Sequence, residues 1–82
     1  MDTESVQALA SRMAEVADRV RALESRLTSN LAHTEWVGAD RSRFESEWSA
    51  QHVVALRHAA EALDDASRVA LQNVREQDWA SG

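Results

Sequence analysis

Apolar residues recur along the first half of the chain at alternating spacings of three and four positions. The series runs unbroken over three heptads and consists of Val6, Leu9, Met13, Val16, Val20, Leu23 and Leu27. Side chains three and four residues apart lie on one side of an α-helix, so this period is helical. The pattern predicts a helix from about Thr3 to about Leu31, with Asp2 or Thr3 as its N-cap. Ala10 and Ala17 lie beside the stripe and widen the apolar face.

A second helical pattern, built from smaller side chains, occupies the other half of the chain. Its large apolar positions are Phe44, Trp48, Leu56 and Leu63, and alanines fill many of the remaining sites on that face. Asp40 lies in the predicted first turn, where a carboxylate interacts favourably with the helix dipole. We predict a helix over about 37–77, preceded by a turn at about 32–38 and followed by a flexible tail at 78–82.

The turn is placed by the residues that interrupt helices. Proline is absent, and the only internal glycine is Gly38, which tolerates the unusual backbone angles of a tight connection. Trp36 is suited to plug the end of a helical bundle. The predicted fold is a single all-α domain over 1–82, an antiparallel two-helix hairpin. Because both apolar faces are wider than one hairpin requires, we expect two hairpins to pair into a four-helix bundle dimer.

Size and charge narrow the classes of partner. A chain of 82 residues without cysteine has neither disulfides nor thiolate metal sites to support a small core, which leaves association with another chain. The formal net charge of -5 argues against nucleic acid and against anionic membrane surfaces. The acidic start, 1–5, is not followed by the apolar run of a secretory signal peptide. We therefore expect a cytoplasmic protein, or one exported by a signal-peptide-independent route.

No residue pattern predicts catalysis. His52 and His58 are six residues apart and point to different sides of a helix, so they do not suggest a metal site. The adjacent carboxylates Asp64 and Asp65 lie on a thin hairpin without a cleft to shift their pKa. Phosphate-binding loops and cofactor motifs are absent from the sequence. We expect no enzymatic activity, no cofactor, no metal and no small-molecule substrate.

The triplet Trp36-Val37-Gly38, placed at the break between two amphipathic helices, resembles the WXG, or early-secreted-antigen-like (ESAT-like), family. Phe44 and Trp48 strengthen the resemblance, which covers nearly the whole chain. It implies a small protein of a type VII (ESX-like) secretion system of actinobacteria and related bacteria. Such proteins pair as homodimers or as heterodimers with a sister WXG protein, and they are exported as substrates or co-secreted partners. The apolar positions of both helices are then the candidate core and dimer interface.

The family's export signal, recognised by the system's membrane ATPase, follows the second helix and is typically Tyr-x-x-x-Asp or Tyr-x-x-x-Glu. This chain has no tyrosine, and its nearest equivalent pairs Val74 with Asp78, with Trp79 one residue later. These three residues are the possible export signal. Two alternatives remain open: a coiled-coil adaptor that stays inside the cell, and a targeting chaperone that supplies half of a composite signal to a larger toxin.

Overall fold

The computed structural model describes residues 2–35 and 40–81 and confirms an all-α helical hairpin. Helix α1 spans Thr3–His33. The second arm consists of α2, Asp40–Glu47, a π-helical segment, Trp48–Val53, and α3, Val54–Ser81. The described residues contain no strand. The two arms pack antiparallel into a rod with extents of 66 × 16 × 14 Å.

The first helix begins where its sequence predicts. Asp2 is the N-cap of α1, and its Oδ1 accepts a hydrogen bond from the backbone N–H of Glu4 at 3.2 Å. This bond satisfies one of the N–H groups that a helix start leaves without a partner. The helix ends at His33, two residues beyond the predicted Leu31.

The second arm is longer than its sequence pattern predicts. It continues to Ser81, so the predicted helix end near Gln77 was wrong by four residues. The segment 78–81 contains neither glycine nor proline, and the backbone therefore meets no residue that would end the helix there. The predicted start of this arm near Val37 and the Trp36–Gly38 turn motif lie outside the described residues.

A π-helical segment shifts the register of the second arm by one residue. Buried positions recur every seven residues at 53, the last residue of the π-helical segment, and at 60, 67 and 74 of α3. If the same period continued toward the N-terminus, Ser46 and Ser49 would face α1. In the structure, Glu45 and Trp48 are half-buried instead, and both serines are exposed. A π turn holds one extra residue, and this insertion turns Trp48 toward α1.

The two arms approach each other along a row of small side chains. Ala10, Ala17 and Ala60 have no exposed surface. The Ser67 hydroxyl crosses between the arms and donates to the backbone carbonyl of Ala10 at 2.8 Å. Ala10 and Ala17, which the sequence pattern placed beside the packing stripe, therefore lie at its centre, since small residues allow the closest helix approach. We call this row the alanine seam.

The predicted apolar stripe of α1 divides into two rows as a result. Val6, Met13 and Val20 flank the alanine seam and are half-buried. The second row, Leu9, Val16 and Leu23, is exposed, as is Leu27, which continues the first row seven residues after Val20. Among the described residues, no large side chain is fully buried. The hairpin thus encloses a seam and lacks the thicker core of a typical globular domain.

Candidate functional site: an exposed apolar face

One side of the hairpin carries polar contacts between the arms in its middle section. The Arg21 guanidinium forms an ion pair with Asp64 across the alanine seam, and hydrogen bonding to Asp64 raises the pKa of Arg21. The next contact along this side joins Arg57 and Glu24, whose Nε and Oε1 atoms are 2.9 Å apart. Cross-arm polar contacts therefore close this side of the hairpin.

Glu24 is the centre of the polar contacts. It is only 5% exposed, and its Oε2 accepts a hydrogen bond from the Thr28 hydroxyl at 2.8 Å. The Thr28 oxygen in turn accepts the indole N–H of Trp48 at 2.9 Å. The hydrogen bonds from Thr28 and then Arg57 outweigh burial and lower the pKa of Glu24. Both carboxylate oxygens of Glu24 therefore accept hydrogen bonds, and the contact with Arg57 holds the two arms in a fixed register.

The opposite side of the hairpin is apolar. Leu9, Val16 and Leu23 follow one another every seven residues along α1 and are 53%, 41% and 49% exposed. On α3, the corresponding positions beside the alanine seam are Ala59 and Ala66, both exposed. We call these five residues the apolar face. The half-buried Leu56 and Leu63 of α3 and Val6, Met13 and Val20 of α1 lie between its two rows.

An open groove marks the end of the apolar face. It has a volume of about 530 Å³ and runs between the two arms. Val6 and Leu9 from α1 line it, together with Asn73 and Val74 from α3. This shared lining shows that the exposed apolar row of α1 and the corresponding row of α3 lie on the same side of the hairpin.

The aromatic residues predicted to share one packing face have different environments. Trp48 is half-buried, donates to Thr28, and has its ring centroid 5.5 Å from that of His52. Phe44, one turn earlier, is 43% exposed. Trp48 therefore belongs to the packing between the arms, whereas Phe44 lies at its margin.

The three residues of the possible export signal are also separated. Val74 is only 3% exposed because it packs against the beginning of α1. Asp78 is exposed, and Trp79 is 87% exposed. The arms thus remain in contact as far as Val74, and Asp78 and Trp79 are the two members of this set that are accessible to another molecule.

Two features that sequence reasoning missed are the Glu24 network and the π-helical segment. A heptad scheme with Ala10 and Ala17 at its centre would have placed Glu24 in the same row, seven residues after Ala17. The π insertion also has a signal, because Trp48 and Leu56 are eight residues apart where an undisturbed heptad has seven.

The described residues contain no group of three histidine, cysteine or carboxylate side chains placed to hold a metal ion. Within that same part of the chain, none of the helices has the length and apolar character needed to span a membrane.

No protein-family model, curated protein or solved structure matches this chain.

Proposed function

We propose that this protein acts by binding another helical chain through its apolar face, as a substrate or co-secreted partner of a type VII secretion system. The observation that carries the binding proposal is the exposure of Leu9, Val16 and Leu23 in one continuous row. Large contiguous apolar surfaces on small proteins mark interaction sites.

The energetic argument for a partner rests on what the hairpin leaves unburied. Fully burying a leucine or valine side chain contributes roughly 1.5–3 kcal/mol, so covering the exposed half of three such side chains contributes roughly 2–4 kcal/mol. That gain is large beside the roughly 3–5 kcal/mol that a core supplies in a domain of this size. A second hairpin laid on the apolar face would complete a four-helix bundle.

Export is proposed from the resemblance to WXG proteins. The hairpin architecture agrees with that family, and the central position of Trp36 and Gly38 motivates the assignment. Trp79, exposed near the end of α3, has the size and accessibility of an interface anchor for the system's membrane ATPase. Asp78 beside it supplies the acidic member of the signal.

The test is export from the native host with the secretion ATPase intact or deleted. We expect the protein in the culture fluid of the intact strain and its retention in the deletion strain. Trp79→Ala should reduce export. The control Gln72→Ala, which changes an exposed residue about two helical turns earlier on α3, should not. A protein that stays inside an intact, secreting host would refute the export proposal and favour the intracellular adaptor.

A second candidate function is that of a targeting chaperone exported with a larger toxin. The burial of Val74 and the absence of tyrosine favour it, because both weaken the signal that this chain carries alone. In that case, export of the protein should require the toxin's gene as well as the ATPase. Export that is unchanged after deletion of every such toxin gene would exclude this candidate.

A further inference from the structure

Three arginines border the apolar face along α1. Arg12, Arg19 and Arg26 are spaced by seven residues and are all exposed. Each lies three residues after a member of the apolar row, which places it next to that row on the helix surface. We call them the arginine row.

The arginine row has no ion-pair partner within the described residues. The arginines that do form ion pairs there are Arg21, Arg41, Arg43, Arg57 and Arg68. Glu15 lies within one turn of both Arg12 and Arg19, yet it forms an ion pair with neither. In a chain of net charge -5, three unpaired cations are thus aligned along one edge of an apolar surface.

A second copy of this chain offers the arginine row no matching acidic row. If α1 packed across α1 of the copy, two arginine rows would face each other and repel. If it packed across α3, the row would meet Ala55, Ala62, Val69 and Glu76, which occupy the equivalent border of that helix, so that one carboxylate would face three guanidinium groups. Neither arrangement pairs the three guanidinium groups, and charges that flank an apolar helix seam determine partner choice.

We propose that the apolar face binds a different helical chain, one whose own apolar stripe is bordered by aspartate or glutamate at seven-residue spacing. This inference rests on the proposed pairing function and specifies the partner's chemistry. The apolar face supplies affinity, and the arginine row selects an acidic partner over a second copy.

The test uses the full chain and a charge-reversed version of it as the probe. The triple variant R12E/R19E/R26E carries the same apolar face with an acidic border. A control for net charge, R43E/R68E/R75E, makes the same change at exposed positions of the second arm, away from the arginine row. Because Arg43 and Arg68 form ion pairs with Glu47 and Asp65, the helicity of this variant is checked by circular dichroism before its association is compared. Association is measured by sedimentation equilibrium for each chain alone and for each variant mixed with wild type.

We expect the wild type and the R12E/R19E/R26E variant to associate about tenfold more tightly with each other than either does with itself, since three ion pairs replace three repulsions. About 1 M NaCl should abolish that preference by screening. The control variant should associate with wild type no more tightly than wild type does with itself.

Three results would overturn the inference. The first is wild-type self-association that is as tight as association with the R12E/R19E/R26E variant and is independent of salt. That result would refute selection by the arginine row but would agree with the pairing function. Absence of association in every sample would refute the pairing function as well. Binding of wild type, but not of the triple variant, to phosphatidylserine vesicles without association in the mixture would assign the surface to a membrane.

Discussion

Replacing Ala17 with leucine is expected to destabilise the hairpin strongly for so small a change. Ala17 has no exposed surface, and the nearby contact between Ser67 and the Ala10 carbonyl shows that the arms approach closely enough for a side chain to reach the opposite backbone. Three added carbon atoms have no space in the alanine seam without separating the arms. Overpacking of this kind lowers the free energy of unfolding by about 1–3 kcal/mol.

The assay is urea unfolding followed by far-UV circular dichroism at a fixed protein concentration. Ala22→Leu is the matched control, because Ala22 is on the exposed side of the same helix. It should change the free energy of unfolding by no more than about 0.5 kcal/mol. In a thermal scan, each kcal/mol lost from Ala17→Leu should lower Tm by about 4–8 °C. Equal effects of the two substitutions would show that Ala17 does not face α3 and would refute the alanine seam.

Three further predictions concern the polar contacts between the arms. Ser67→Ala removes the hydrogen bond to the Ala10 carbonyl and should lower the free energy of unfolding by about 1 kcal/mol in the same urea assay; an unchanged value would contradict a formed bond. Trp48→Phe removes the N–H that Thr28 accepts and should destabilise by about 1 kcal/mol; because Thr28 also donates to Glu24, the check on the pairing is that Trp48→Phe costs less in a Thr28→Val background, where this hydrogen bond is already absent. The third prediction concerns Glu24, whose pKa is lowered chiefly by the hydrogen bond from Thr28. Its carboxylate therefore stabilises the fold at pH values above its ordinary pKa of 4.5, and this stabilisation is lost as the pH falls through the lowered pKa of the folded state. Glu24→Gln should therefore reduce stability at neutral pH and flatten the acid limb of the stability–pH profile; parallel profiles for wild type and variant would exclude this role.

The architecture of the hairpin follows from simple features of the sequence. A heptad repeat, an aspartate before it and a single internal glycine predict two helices and the start of α1 at Thr3. These features are local, and local preferences suffice to place a long amphipathic helix. The end of α3 was less predictable, since no residue between Gln77 and Ser81 signals a stop.

The choice of packing row could not be predicted from periodicity alone. Leu9 and Ala10 begin adjacent rows on α1, and both rows are apolar over most of their length. Hydrophobicity favours the leucine row, but close approach of two helices favours the alanine row and moves the larger side chains outward. Glu24, in the alanine row, looks unsuitable for a packing position until Arg57 is brought beside it by the fold. The Trp36–Gly38 motif lies outside the described residues, so its role in the turn stays a prediction.

The central claim is that a second helical chain covers the apolar face, and the native mass of the protein recovered from its own host tests it most directly. A tagged chain purified at low salt and analysed by light scattering should have at least about twice the mass of a single 9.1 kDa chain. Mass spectrometry of the same sample should identify the second subunit as a different protein, whose sequence predicts a helix with aspartate or glutamate at seven-residue spacing beside its apolar stripe. A mass of one chain, in cells that express the protein at its native level, would contradict the claim.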